Sequence, residues 1–394
     1  MALFDDASLV VTPNGYKAGT LYSIKPTSGA GDMTVVRATT ATRVNSAGLI
    51  ESVANNVPRL DYSNGTCPSI LVEPQRTNYM PYSQNISLWY SPADGVTLTS
   101  NTTDTVSPDG TNNASKIAIV SGNKRSYDVT NSVAGVGTFS AYVKAGTSTS
   151  ITLFTSSGSI NIGYNLSTLA ITTSSGTGTI TSVGNGWYRI TATNTLGASE
   201  VLQVLYTGTA GQTIYIWGFQ VEASSYVTSY IFTNGAAVTR NADVLTRAGF
   251  GNASTSGTLF FDFYAEKIES PNGQYILQLF AGSSIGNASF SDANGLSIIG
   301  NGTAIQIFNN GYTQQVQTLT PTAGQRVKLA IRYNGTNVSS AINGTLSNVF
   351  ADTAVGVKNA LRINNGENGT QAFNVVCFFP SYLTDSELAS LTTI

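Results

Sequence analysis

Apolar and polar residues alternate along much of this chain. Val327, Leu329, Ile331 and Tyr333 are interleaved with Arg326, Lys328, Ala330 and Arg332. A period of two predicts a half-buried antiparallel strand. Asn334-Gly335 follows, then a second alternating run through Val338 and Ile342, then Asn343-Gly344. Asn-Gly is the strongest short hairpin signal, so a hairpin and a further turn are expected. Asn301-Gly302 divides Leu296–Ile299 from Ile305–Phe308 in the same manner. In Ile214–Val221, strict alternation puts Tyr215, Trp217, Phe219 and Val221 on one face and Ile214 and Ile216 on the other. Both faces are apolar, which predicts a strand inside a sandwich. Only the end of the chain reads as helix. Thr384-Asp385-Ser386-Glu387 is a capping box, with Leu388 and Leu391 on an apolar side. No heptad repeat is present to form a coiled-coil stalk.

The expected fold is all-β: two β-sandwich or jelly-roll domains after an irregular β-rich N-terminal region, with one short C-terminal helix. Residues 1–85 form the N-terminal docking or junction region, 86–247 the first sandwich and 248–394 the second. The Gly/Ser/Thr-rich stretch Gly249–Gly257 is the expected boundary between the last two.

Composition narrows the chemistry. The 394 residues include no histidine, and 10% are charged against roughly 25% in an average domain. Without histidine, Ser-His-Asp and Cys-His machinery is excluded. A net charge of −2 and no basic run beyond Lys124-Arg125 argue against nucleic acid and against an anionic membrane surface. No apolar stretch approaches the ~20 residues of a membrane helix, and Met1–Asp6 does not read as a secretory signal. Cys67 and Cys377 are too few for a disulfide framework; Cys377, in the apolar run Phe373–Phe379, reads as a buried thiol. Asn-X-Ser/Thr sites at Asn64, Asn113, Asn252, Asn334 and Asn343 are read as by-products of an Asn/Thr-rich composition.

Four ordered stretches resemble a set of modular appendage proteins of tailed bacteriophages and prophages. Pro58–Ser87, with Leu71-Val72-Glu73-Pro74 and Arg76-Thr77-Asn78, resembles the junction that precedes a carbohydrate-binding-module-like jelly roll, and Arg37–Glu51 fits the same junction. Ser107–Ile117, Thr138–Gly146, Gly184–Thr191 and Ile214–Glu222 resemble successive strands of that jelly roll. Thr228–Leu245 resembles its exit segment; Lys328–Ser347 and Tyr382–Thr392 resemble a concanavalin A-like (laminin-G-like) domain with its terminal helix. The resemblance implies a fibre, spike or collar protein of a virion (a tail or head fibre), assembled in the host bacterial cytoplasm. It implies a homotrimer, other virion proteins docked through the N-terminal region, and host-surface polysaccharide as ligand. A purely structural virion or decoration protein is the alternative, and a polysaccharide depolymerase a further one.

Candidate sugar-stacking aromatics and loop-tip amides are Trp89, Tyr90, Asn309, Asn310, Tyr312, Asn365, Glu367 and Asn368. Ordinary turns and core packing account for the same residues. Trp187 and Trp217 lie in strands that read as core. A glycosidase needs only two carboxylates ~5–9.5 Å apart, and Asp262 and Glu266 share a strand face in Phe260–Lys267. The motif does not match, a solvated face explains the pair, and no catalytic residue is assigned. No cofactor is expected beyond a structural calcium, for which Asp104, Asp109 and Asn112 are the candidates against a plain Asp-Gly turn.

Overall fold

A computed structural model describes residues 3–89, 95–121, 124–130, 133–206, 208–249, 255–267, 274–280, 295–309, 314–352, 358–364 and 369–394. Strand is the dominant regular structure of the described residues, as the alternation predicts, and the chain divides into two compact units. One unit contains residues 41–52 and 76–240; the other contains 1–40, 53–75 and 241–394.

The unit of residues 41–52 and 76–240 is a two-sheet antiparallel sandwich. Its six-stranded sheet runs Val96–Thr99, Ser115–Ile119, Thr213–Glu222, Gly135–Ala145, Trp187–Leu196, Thr177–Gly184. The five-stranded sheet runs Lys124–Thr130, Val201–Tyr206, Ser150–Thr155, Asn161–Asn165, Ile171–Ser175. Phe139, Val143, Ile151, Leu153, Ile162, Val204, Ile214, Ile216, Phe219 and Val221 fill the space between. A second apolar cluster, Ala114, Tyr142, Trp187, Trp217 and Tyr230, lies apart from that core. Two apolar clusters explain why Thr213–Glu222 is hydrophobic on both sides.

Strict alternation fails inside that strand. Ile214, Ile216, Phe219 and Val221 share the main core, whereas Tyr215 and Trp217 join the second cluster. The cause is a bulge: the register against Gly135–Ala145 shifts between Ser140 and Tyr142, opposite Gly218, whose φ is +62°. One extra residue flips the faces beyond it. A Cβ at Gly218 would sit 2.8 Å from Tyr142 Cδ2, so glycine is required for conformation and space together.

The other unit is also a sandwich, and here the division of the chain differs from the expected one. Its larger sheet includes, in order, Asn337–Ile342, Gln325–Tyr333, Gly257–Lys267, Thr370–Phe379, Ser69–Val72 and Arg59–Asp61. The facing sheet runs Gln314–Leu319, Ala304–Asn309, Leu296–Asn301, Gln274–Phe280, Ala360–Ile363, Val244–Ala248, Thr34–Val36. Residues 1–85 are therefore not a region of their own. Leu9–Val11, Thr34–Val36, Arg59–Asp61 and Ser69–Val72 complete the C-terminal sandwich, while 41–52 and 76–85 belong with the first. Gly249–Gly257 is no boundary either, because Val244–Ala248 and Gly257–Lys267 fall in the same unit. The alternating strand forms as read, with Val327, Leu329, Ile331 and Tyr333 fully buried, but it is not half-buried: Ala330 and Arg332 are buried too, and Ala330 packs with Leu388 and Leu391 of the terminal helix. Each aliphatic side chain contributes about 1.5–3 kcal/mol by leaving water.

The helix Asp385–Thr392 has the capping box expected from Thr384 and Glu387. Leu388 and Leu391 pack with Phe260, Ala330, Cys377 and Phe379. Cys377 is buried, and burial pushes its thiol pKa up; Cys67 is exposed.

Polar residues of the junction-like stretches are buried and paired. Arg59 donates to Glu73 at 2.7 Å and to Asp243, and Arg37 donates to the other Asp243 oxygen at 2.7 Å. Burial opposes charge on Arg59, but the Asp243 and Glu73 carboxylates outweigh it and raise its pKa. In the first sandwich, Asn78 bridges three segments, donating to Phe219 O and Ile231 O and accepting from Val221 N. Arg240 donates to Thr228 and Ser229. Glu73 and Asp243 thus pair inside one unit, and Asn78 and Arg240 inside the other.

A candidate ligand-binding cleft

An open cleft of about 170 Å³ in the first sandwich is lined by Tyr82, Gln84, Asn85, Ser100, Asn101, Asn113, Ser115, Phe232, Thr233 and Asn234. The lining combines two aromatic rings with five carboxamides and three hydroxyls, and holds no charged side chain. Phe232 is 51% exposed, an apolar ring left in water beside hydrogen-bonding groups. Carboxamides offer donors and acceptors from one planar head. Such a lining suits a neutral, hydroxylated ligand with an apolar face.

Two distant segments build one wall. Tyr82 and Asn234 form an antiparallel bridge, and Gly235 N donates to Pro81 O at 2.6 Å. Between them, Thr233 N donates to Ser83 Oγ at 2.9 Å, and Ser83 Oγ lies 2.6 Å from Tyr230 Oη. Burial pushes the Tyr230 phenol pKa up. Asn113 belongs to the opposite side and is gripped from behind. Its Oδ1 accepts from Trp217 Nε1 at 2.7 Å, while its Nδ2 donates to Asp109 Oδ2 at 2.8 Å and to Gln84 Oε1 at 3.3 Å. Asp109 is held by Thr111 N and Oγ1 at 3.0 and 2.9 Å. Asn101 has φ +53°, a left-handed turn that asparagine tolerates. The cleft amides thus lie on loops, and Asn113 and Gln84 are fixed there by side-chain hydrogen bonds.

The sequence singled out other residues. Trp89 is not presented to a ligand: it is 5% exposed, meets Phe219 edge-on at 4.4 Å, and donates its indole N–H to Tyr82 O at 3.0 Å. It holds Tyr82 in place from below. Asn309 is fully buried and donates to Asp352 and Gln314 at 3.2 Å, an internal clamp rather than a loop-tip contact. Tyr90, Asn310, Tyr312, Asn365, Glu367 and Asn368 lie outside the described residues. Trp187 and Trp217 are buried, as read. The cleft residues escaped local reading because its walls come together only in the fold. Ser83 and Tyr230, which join them, are 147 residues apart.

Asp262 and Glu266 do not form a glycosidase pair. Four residues along a strand separate them by about 13 Å, beyond the ~9.5 Å that an inverting pair spans. Asp262 is engaged by both Nε and Nη2 of Arg326, at 2.9 and 2.6 Å, and by Asn374 at 3.2 Å. Burial raises the Glu266 pKa, only partly offset by the hydrogen bond from Asn64 at 2.6 Å. An acid whose folded pKa is raised loses stability as pH climbs through its unfolded and folded values. Glu266→Gln is therefore expected to raise the melting temperature at pH 7. Calorimetry down to pH 3 should show the gain vanish once the wild-type carboxyl is protonated in both states; a pH-independent difference would contradict this account.

The calcium candidates do not fit a cation. Asp104 accepts from Lys116 Nζ at 2.6 Å, and that ammonium holds its carboxyl below the usual range. Asp109 is taken by Asn113 and Thr111, and Asn112 is exposed. Among the described residues, no cluster of three or more Cys, Asp or Glu side chains could hold a metal.

No family model matches this chain, and no curated protein matches it. Solved structures resemble parts of it. One is a receptor-binding domain, 14% identical over 38% of this chain and 39% of that one, with a TM-score of 0.29. This chain therefore spans about two fifths of that protein's length. Another is the CBM40 of the Ruminococcus gnavus IT-sialidase, 15% identical over 36% of this chain and 84% of that one, TM-score 0.27. A third is domain 4 of AbnA, a GH43 extracellular arabinanase from Geobacillus stearothermophilus solved with arabinotriose, 14% identical over 39% and 77%, TM-score 0.30. All three are partial and distant likenesses.

Proposed function

We propose that this chain is a non-enzymatic glycan-binding protein that holds one uncharged sugar unit of a host-surface polysaccharide in the cleft between Tyr82, Asn113 and Phe232. The observation that carries the reading is the cleft itself, where aromatic faces and carboxamides converge with no charged group among the lining residues. Sugar rings have apolar C–H faces and hydroxyl edges, and this lining answers both. The order of the stretches that resemble phage appendage proteins supports a place on a virion, as a homotrimeric fibre, spike or collar subunit docked to other virion proteins.

Glycan-array binding by the full chain, followed by titration of the best ligand, tests this. Phe232→Ala should weaken binding by about tenfold or more, and Asn113→Ala by a similar factor through the loss of its hold on Gln84, because the Asn113 amide is itself fully engaged by Trp217, Ser107, Asp109 and Gln84. Phe232 is exposed, so its variant should keep the fold; calorimetry of Asn113→Ala separates lost binding from lost stability. No retention on any neutral glycan or host envelope fraction would refute the proposal, as would binding that both variants leave intact. Immunogold labelling of intact particles tests the virion assignment separately.

A further inference from the structure

The first sandwich ends on one side in two open strands. Ile171–Ser175 terminates the five-stranded sheet and Thr177–Gly184 terminates the six-stranded sheet, joined through Gly176. An open strand presents unpaired N–H and C=O groups, which proteins usually guard with charge, proline or a covering element. None of these is present. From Ala145 to Tyr188 the chain contains no Asp, Glu, Lys, Arg or Pro. Residues 167–174 are all exposed, so the terminal strand stands in water on both faces. By contrast, Gln314–Leu319, which terminates a sheet of the other sandwich, is tied to its surroundings. Its Gln317 donates to Thr345 O at 3.0 Å and accepts from Ser340 Oγ at 2.7 Å.

The turn before the open strand stores strain. Asn165 Oδ1 accepts from Ser167 N and Thr168 N at 2.9 and 3.0 Å, and Asn165 N donates to Ala170 O at 2.9 Å. This turn leaves Leu169 at φ +57° and 49% exposed. A leucine in the left-handed region is strained, yet here it only holds an apolar side chain out into water. Ile171, two residues on, is 36% exposed.

We infer that Ile171–Ser175 is an assembly edge, covered by an uncharged open edge of a second copy of this chain. Backbone pairing would satisfy the open ladder, and Leu169 and Ile171 would leave water. A second copy is the occupant that the charge pattern favours. An edge without charge meets no like-charge repulsion from itself and offers no charged group to attract an acidic or basic partner. The inference does not depend on the glycan reading.

Sedimentation velocity and mass photometry of the full chain over a concentration series decide the matter. The wild type should sediment as two or more copies. Ile171→Lys combined with Thr173→Lys, which puts charge on the edge, should yield monomers with an unchanged melting temperature. A wild type that stays monomeric at its highest soluble concentration overturns the inference, as does a lysine variant that associates like the wild type. Should the lysine pair fail to fold, Leu169→Gly decides in its place. Association at least tenfold weaker supports the assembly edge, and unchanged association overturns it.

Discussion

Asp243→Ala is expected to cost the sandwich that contains it about 3–5 kcal/mol, the usual loss when one partner of a buried ion pair is removed. Arg37 and Arg59, both fully buried, direct their guanidinium groups at this carboxylate, which also accepts Glu73 N at 3.0 Å. Removing it leaves Arg59 paired with Glu73 and takes from Arg37 the carboxylate to which it donates. Asp243→Asn keeps the shape and removes the charge, so it should be nearly as damaging. For a unit of this size, such a loss lowers the melting temperature by roughly 10 °C. Scanning calorimetry of the full chain checks it. An Asp243→Asn transition within about 1 kcal/mol of wild type would show that geometry rather than charge holds the cluster.

Trp217→Ala should cost about 3–5 kcal/mol by opening a cavity among Tyr142, Trp187 and Tyr230. Trp217→Phe is the more telling change. It keeps most of the apolar contact, including the tilted packing against Tyr230 at 4.6 Å, but deletes the N–H that fixes Asn113. The expected stability loss is about 1 kcal/mol, accompanied by roughly tenfold weaker glycan binding. Equal affinity in wild type and Trp217→Phe would mean that Asn113 does not act in the cleft. Calorimetry and ligand titration on the same samples separate the two effects.

Local patterning was legible wherever one physical rule acted alone. The alternation at Val327, Leu329, Ile331 and Tyr333, the Asn-Gly turns and the Thr384 capping box all appear as read. Reading failed where a second rule intervened. At Gly218 a bulge overrode the period of two, and no neighbouring residue signals it except the glycine itself. Local pattern left open whether Trp89 plugs the sandwich or faces out; in the fold its indole finds Tyr82 O and its ring finds Phe219.

By itself the sequence determined the class of chain: short antiparallel ladders, a capped terminal helix, no imidazole chemistry and a neutral, amide-rich surface. Those properties follow from near neighbours and from totals, which need no knowledge of distant contacts. Only the tertiary structure decided that Leu9–Val11, Thr34–Val36, Arg59–Asp61 and Ser69–Val72 complete a sandwich whose other strands come after residue 240. It alone brought Tyr82 to Asn234, and left Ile171–Ser175 at the end of its sheet, paired on one side by Asn161–Asn165. Strand partners are chosen by which apolar faces and backbone ladders fit across long separations, and that choice is made by packing rather than by spacing along the chain.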